Sequence, residues 1–180
     1  MHRLFVALRP PRPARLLLQS MMHGLLGARW QSDDQLHLTL RFIGEVDRHQ
    51  ADDIAAALAS VRNDPVEARF GRLGTFDRRG RIDTLWVGVE PREPLASLHQ
   101  KVDQALRRAG VEADRRAFVP HVTIARFGRG GPDGGTIAAY AAAAAVPPAA
   151  SFTMDYLILF ESRLGGEGAS YDPVERWRLG

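Results

Sequence analysis

The chain has 180 residues, of which 45% are hydrophobic and 25% charged, and its formal net charge is +3. This composition is that of an ordinary globular protein long enough to bury a core. No apolar run approaches the roughly 20 residues that cross a bilayer, and the absence of cysteine excludes disulfides, thiolate catalysis and cysteine-ligated metals. We expect a cytoplasmic protein that does not associate with membranes.

Hydrophobic patterning predicts more strands than helices, joined largely by short turns. In chain order, the predicted elements are a strand at Leu4–Leu8, a helix over 14–26, a strand at Leu36–Ile43, a helix capped by Asp47, strands at 66–76 and 83–90, a helix from Pro94 to Gly110, a strand at Phe118–Phe127, a helix at Ala138–Ala145 ended by Pro147 and Pro148, and strands at Phe152–Phe160 and Glu175–Leu179. This order favours an α+β fold over a doubly wound parallel sheet.

Two of the predicted strands carry the same tetrapeptide pattern, His-x-Thr-x with aliphatic residues at both x positions. The copies are His37-Leu38-Thr39-Leu40 and His121-Val122-Thr123-Ile124, near the centres of the two halves of the chain. Because side chains alternate across a strand, each copy places an imidazole and a hydroxyl on one face and two apolar groups on the other. The repeat predicts two related lobes that each contribute one His-Thr pair to a shared cleft.

The paired tetrapeptides and their surroundings resemble the 2H phosphoesterase superfamily, in particular its RNA 2′,3′-cyclic phosphodiesterase branch, also described as 2′-5′ RNA ligases. The segments that carry the resemblance are Arg3–Leu8, His37–Val46, Leu85–Val89, Phe118–Arg126 and Leu159–Ser162. The resemblance implies a single domain over residues 1–180, built as two pseudo-symmetric lobes, each an antiparallel sheet backed by helices, with a central cleft.

The resemblance also implies hydrolysis of RNA 2′,3′-cyclic phosphate ends to 2′-phosphates. Histidine suits both proton transfers because its ordinary pKa near 6.5 keeps both protonation states accessible. The family pattern suggests His37 as the proton donor and His121 as the proton acceptor, although sequence symmetry alone does not assign these roles. Microscopic reversibility adds 2′-5′ RNA ligation as the reverse reaction. We expect two apparent pKa values near neutrality in the pH–rate profile.

Several other residues are candidates for substrate binding. Thr39 and Thr123 share the strand face of their histidines and can donate to phosphate oxygens. Arg126 matches an arginine of the family, but an ideal strand points it away from His121, so a bulge would be needed to bring it to the site. Phe42 suits either base stacking or core filling, with core filling favoured. Tyr171, in the loop before the last strand, resembles a family position.

The sequence leaves some alternatives open. A basic turn at Arg78–Arg81 is compatible with RNA contact or with a solvated hairpin tip. Lys101 is the only lysine among 24 basic residues, and this arginine bias suits phosphate binding or reflects genome composition alone. No metal-ligand spacing or nucleotide-binding loop is visible, so we expect no metal and no cofactor. Besides a monomeric enzyme acting on RNA, we keep two alternatives: a phosphodiesterase for a small cyclic phosphate such as an ADP-ribose derivative, and a non-catalytic basic RNA-binding module.

Overall fold

A computed structural model describes residues 1–144, 151–166 and 168–180. Within these residues the chain forms nine strands and four helices. They are β1 (His2–Leu8), α1 (Arg12–Met21), β2 (Arg29–Trp30), β3 (Leu38–Val46), α2 (Arg48–Ala59), β4 (Val66–Arg78), β5 (Arg81–Glu90), α3 (Arg92–Arg108), β6 (His121–Arg126), α4 (Gly134–Ala143), β7 (Phe152–Met154), β8 (Tyr156–Gly165) and β9 (Gly168–Arg178).

The strands form two sheets. The first sheet has the order β3-β1-β8-β9 and the second has the order β2-β6-β5-β4-β7. Every strand pair in both sheets is antiparallel. The α+β prediction with two antiparallel sheets is therefore confirmed. Each sheet carries one His-Thr pair, located where β3 or β6 begins.

The two sheets are not built from consecutive halves of the chain. After α2, strand β4 crosses into the second sheet, and after α4, strands β8 and β9 return to the first. The burial of β1 explains why the chain returns to the first sheet. The last five residues of β1 are all buried. A strand buried on both faces must have its backbone groups paired on both edges, and β1 lies between β3 and β8.

Several local sequence signals produce the predicted elements. The Asp47 carboxylate accepts a hydrogen bond from the Gln50 backbone N–H at 2.9 Å and caps α2. The hairpin between β4 and β5 turns at Arg79 and Gly80, which have φ values of 55° and 74°. Helix α3 buries a stripe of aliphatic residues at helical spacing, namely Leu95, Leu98, Val102 and Leu106.

Other boundaries differ from the sequence predictions. Helix α1 ends at Met21 rather than at residue 26. The segment predicted as one strand over Phe152–Phe160 is interrupted at Asp155, and its two parts, β7 and β8, belong to different sheets. Strand β9 begins at Gly168 rather than Glu175. Helix α4 ends at Ala143; the predicted stop at Pro147 and Pro148 lies outside the described residues.

One hydrophobic core joins the two sheets. Buried side chains of β1, such as Leu4 and Val6, belong to the same cluster as Leu85 and Val87 of β5. A smaller cluster of Phe5, Ala7, Ile158 and Phe160 lies on the other face of the first sheet. Among the residues that the structure describes, no helix is long and apolar enough to cross a membrane.

Candidate active site

Both His-Thr pairs face one cleft of about 540 Å³ between the sheets. In each tetrapeptide the histidine and threonine are half-buried, whereas the aliphatic residues Leu38, Leu40, Val122 and Ile124 are fully or almost fully buried. The alternation predicted from the sequence therefore places both imidazoles and both hydroxyls in a common space. Arg126, Phe42 and Tyr171, the other candidates, also line this cleft.

A bulge follows each tetrapeptide. Along β3, the pairing with β1 passes from Thr39 to Arg41 and omits Leu40. Along β6, the pairing with β5 passes from Thr123 to Ala125 and omits Ile124. An extra residue in one strand reverses the faces of the residues beyond it. The bulge that Arg126 requires is therefore present.

The matching bulges make Phe42 and Arg126 equivalent positions in the two lobes. Each lies five residues beyond its histidine, follows two consecutive buried residues and is itself exposed. Phe42 has an exposed fraction of 39%, so the preference for core filling is wrong, and its ring stacks on Phe5 at 5.4 Å. The cleft thus presents an aromatic ring on one side and a guanidinium on the other.

Arg41 is structural. Its side chain is 5% exposed, and its Nε lies 2.9 Å from a carboxylate oxygen of Asp103 on α3. Its guanidinium also donates to the backbone carbonyl of Glu112 in the loop after α3. Arg41 therefore anchors the loop that continues to Asp114 and Arg116 in the cleft wall.

Both histidines are held in the same way by backbone carbonyls. Nδ1 of His37 lies 2.8 Å from the Gln35 carbonyl oxygen, and Nδ1 of His121 lies 2.6 Å from the Val119 carbonyl oxygen. A carbonyl can only accept, so each Nδ1 carries a hydrogen and each Nε2 is the basic nitrogen of the neutral ring. No side chain or backbone group among the described residues forms a hydrogen bond with either Nε2.

Aromatic rings from other strands of the same sheet contact each imidazole. His37 contacts Phe5 of β1 at 4.9 Å and Tyr171 of β9 at 5.0 Å between ring centroids. His121 contacts Phe76 of β4 at 4.9 Å and Trp86 of β5 at 5.6 Å. Tyr171 lies inside β9, so its predicted place in a loop is wrong, although it does reach the cleft.

These surroundings favour the neutral form of both imidazoles. Burial, the largest cause, lowers the pKa of His37 to about 4, and the charges of Arg126 and His121 act in the same direction. Burial and Arg126 also lower the pKa of His121. The expectation of two pKa values near neutrality is therefore replaced by two values below the ordinary 6.5. The charge of Arg126 thus lowers the pKa of both histidines, and all three side chains line the same cleft.

Sequence reasoning did not assign His99 to the cleft, but the structure places it in the wall. Its ring stacks on Phe118 with centroids 4.4 Å apart and ring planes 10° apart. His99 lies four residues after Leu95 and three before Val102, so the helical stripe of α3 already indicated its partial burial. Phe76 also lines the cleft and was not singled out. In contrast, Arg78 and Arg81 form an exposed hairpin tip.

The sequence matches a family model described as the 2′-5′ RNA ligase superfamily over residues 10–166. The chain belongs to this superfamily. The match covers both His-Thr pairs and most of the two sheets, so the resemblance noted from the tetrapeptides is confirmed.

Curated relatives within the superfamily carry a more specific name. RNA 2′,3′-cyclic phosphodiesterase of Aeropyrum pernix is 35% identical over 112 residues, which cover 62% of this chain and 64% of that protein. The enzyme of the same name from Thermotoga maritima is 33% identical over 117 residues, which cover 64% and 62%. The matched segment thus spans less than two thirds of either relative.

Solved structures show the same fold over almost the whole chain. Escherichia coli LigT in complex with 3′-AMP has a TM-score of 0.77 at 24% identity, and the alignment covers 99% of this chain and 98% of that one. A protein of Thermus thermophilus has a TM-score of 0.78 at 24% identity, with 98% and 97% covered. At this identity the likeness establishes the fold of this superfamily member.

Proposed function

We propose that this protein is a metal-independent phosphodiesterase that hydrolyses RNA 2′,3′-cyclic phosphate ends to 2′-phosphates and works as one two-lobed monomer. The observation that carries the proposal is the matched pair of histidines. Each Nδ1–H is bound to a carbonyl two residues earlier in the chain, and both rings line the same cleft. Two imidazoles with free Nε2 atoms suit a reaction that needs one general base and one general acid.

In the proposed reaction, His121 Nε2 accepts a proton as a water oxygen bonds to phosphorus. The bond between phosphorus and the ribose 3′ oxygen breaks, and protonated His37 donates its Nε2 proton to that oxygen. The products are a 2′-phosphate and a 3′-hydroxyl, and the proton gained by His121 returns to His37 through solvent. The same steps with a 5′-hydroxyl in place of water form a 2′-5′ bond, and the reverse of those steps breaks it.

A bound substrate would prepare His37 for this role. In the free protein, burial favours neutral His37, which cannot act as an acid. A cyclic phosphate is an anion, and an opposite charge nearby favours the imidazolium form. We therefore expect substrate binding to be accompanied by uptake of a proton, so that the imidazolium acid forms only when a cyclic phosphate is bound.

The remaining candidates divide between the two ends of the substrate. We assign the phosphate oxygens to the Thr39 and Thr123 hydroxyls and to Arg126, which can stabilise the developing negative charge. We assign the terminal base or ribose to Phe42 and Tyr171, whose rings line the cleft from the first sheet. This placement puts the ribose oxygens nearer His37 and supports its role as the acid.

The relatives and the dimensions of the cleft support an RNA end as the substrate. Curated relatives at 33% and 35% identity are named RNA 2′,3′-cyclic phosphodiesterase. The cleft of about 540 Å³ lies within the range of about 300–1,000 Å³ that is typical of small-molecule sites, so it accommodates a terminal nucleotide. The rest of an RNA would have to leave across the surface.

The direct test is turnover of a short RNA that ends in a 2′,3′-cyclic phosphate, with the product end mapped as 2′ or 3′. We expect a 2′-phosphate. Preferred turnover of a small cyclic phosphate derived from ADP-ribose would replace the RNA assignment. Binding of the RNA without turnover would indicate that the protein is a non-catalytic RNA-binding module.

We expect the turnover to survive EDTA. The described residues contain no group of three or more His, Cys, Asp or Glu side chains positioned to hold a metal ion, and Arg126 with the two threonines can carry the charge of the phosphate. Measuring the rate after exhaustive chelation, with and without added Mg²⁺ or Mn²⁺, checks this. A loss of activity that either ion restores would contradict the metal-independent mechanism.

A further inference from the structure

Two surfaces that adjoin the catalytic cleft offer a route out of it. One begins at Tyr171, which lines both the cleft and a neighbouring groove of about 870 Å³ along β8 and β9. The other passes Arg126 and reaches the end of the second sheet, where β2, β6 and the β4–β5 hairpin lie side by side. A further pocket shares Asp114 and Arg116 with the cleft, but both of its arginines, Arg41 and Arg116, are already paired with carboxylates.

The groove beside Tyr171 is poorly suited to a phosphate backbone. Its charged lining residues are three arginines and four carboxylates, namely Arg9, Arg15, Arg176, Asp34, Asp155, Asp172 and Glu175. Arg9 and Arg15 are already paired with Asp33, at 3.1 Å and 2.9 Å. The lining therefore carries no net positive charge to attract a polyanion.

The end of the second sheet has the opposite character. Five of its arginines form what we call the arginine strip: Arg29, Arg78, Arg81, Arg126 and Arg129. All five are exposed, and none lies within ion-pair distance of a carboxylate in the described part of the chain. The same end of the hairpin carries two acidic residues, Asp77, which lines the cleft, and Asp83. The strip thus has a clear positive excess.

Arg29 continues the phosphate site out of the cleft. It lies directly opposite Arg126 in the pairing of β2 with β6, so the two side chains share a face, with Cβ atoms about 5 Å apart. Like charges placed opposite each other in a sheet are destabilising, and a bound phosphate relieves that repulsion. Gln31, two residues after Arg29, lines the cleft itself.

Backbone contacts hold the parts of the strip together. Arg81 donates to the backbone carbonyl of Arg129 at 3.4 Å, and the Phe127 N–H donates to the Asp83 carbonyl at 2.9 Å. Arg78 lies opposite Arg81 at the hairpin tip. The strip is therefore one surface that runs from Arg126 at the cleft to Arg78 at the tip.

We propose that the body of a single-stranded RNA leaves the cleft over the arginine strip and is held there by its phosphates. This inference rests on the proposed function. The strip contains no aromatic ring on which a base could stack, and arginine contacts to phosphates carry no sequence information. The RNA beyond the terminal nucleotide is therefore bound without sequence preference.

The test compares a cyclic-phosphate-ended RNA of about ten nucleotides with a nucleoside 2′,3′-cyclic monophosphate. We expect Arg29→Gln and Arg81→Gln each to lower kcat/KM at least about three-fold more for the RNA than for the mononucleotide. The slope of log kcat/KM against log salt for the RNA should fall by roughly 0.7 per arginine removed. Arg176→Gln, in the groove beside Tyr171, is the matched control and should change neither substrate.

The outcomes separate the strip from the catalytic proposal. If wild-type protein turns over neither substrate, the proposed function fails. If it turns over both and the strip variants affect them equally, the strip does not hold RNA although the enzyme assignment stands. A selective loss for Arg176→Gln would place the RNA in the other groove and overturn the proposal. Arg29→Glu serves as a second variant, and it should give a larger selective loss than Arg29→Gln.

Discussion

The two sides of the cleft share a backbone arrangement but present different side chains. Each side has a histidine bound to a carbonyl, a threonine two residues later and a bulge that turns the fifth residue into the cleft. That fifth residue is Phe42 on one side and Arg126 on the other. In the proposed reaction the shared part supplies the two proton-transfer groups, and we expect the difference to give an asymmetric nucleotide a preferred direction.

The largest effect on kcat should come from replacing the histidines, which both sides of the cleft share. We expect His37→Ala and His121→Ala each to lower kcat by at least about 10²-fold, because each removes one positioned proton-transfer group. The double variant should be much less than multiplicatively worse, since the two histidines act as a unit. Single-turnover rates on a cyclic-phosphate RNA check this. His49→Ala, at an exposed position outside the cleft, is the control, and near-native rates for either single variant would contradict the assignment.

Removing the charge on the second side should have the next largest effect. Arg126→Gln deletes a hydrogen bond to a charged group, which is worth about 1.5–3 kcal/mol, so kcat/KM should fall by about 10- to 100-fold. Arg126→Lys should recover part of the loss because it restores the charge, although not the paired N–H donors of the guanidinium. An equal loss for the Lys and Gln variants would mean that geometry rather than charge matters at this position.

Removing the ring on the first side should have a smaller effect. Stacking of a base on an aromatic ring is worth about 1–3 kcal/mol. Phe42 is partly covered by Phe5, so we expect the lower end of this range, a loss of about five-fold for Phe42→Ala. The loss should appear in KM rather than in kcat and should be greater for purines than for pyrimidines. A loss confined to kcat would instead indicate displacement of His37.

The smallest expected effect is a displacement of the pH profile. In the free protein the pKa values of both histidines are lowered, so both limbs of the kcat/KM bell should lie below pH 6.5. Arg126 lowers both pKa values, so Arg126→Gln should move both limbs upward. The limbs belong to the coupled pair and not to single residues. Measuring kcat/KM from about pH 3.5 to 9 checks this, and wild-type limbs at or above 6.5 would contradict the burial argument.

The repeated tetrapeptide was enough to predict two related lobes and the two His-Thr pairs that face the cleft. It was informative because strand alternation converts His-x-Thr-x directly into a polar face and a buried face. The sequence showed that Arg126 needs a bulge to reach the site, but it could not show that the bulge exists. A bulge depends on pairing with a neighbouring strand, which local sequence does not specify. The same limit explains the misplacement of Phe42 in the core.

Local sequence patterns could not predict the connectivity of the strands or the pKa values of the histidines. Phe152–Phe160 has the composition of one strand, but Asp155 divides it between two sheets, and that division depends on which edges are already paired. The pKa of His37 depends on Phe5, Phe160 and Tyr171, which are distant in sequence. His99 carried a helical-spacing signal that became meaningful only once α3 was seen beside the cleft.

The crossing of the chain between sheets sets the order of events during synthesis. Leu4 of β1 pairs with Glu161 of β8, so β1, the strand next to β3, lacks one neighbour until β8 has left the ribosome. A nascent chain that ends before β8 already contains both histidines and both threonines, yet it lacks half of the sheet that holds the first pair. Contacts this distant in sequence form late and slow folding. We therefore expect the proposed phosphodiesterase activity to arise in one late step, with no active partial product.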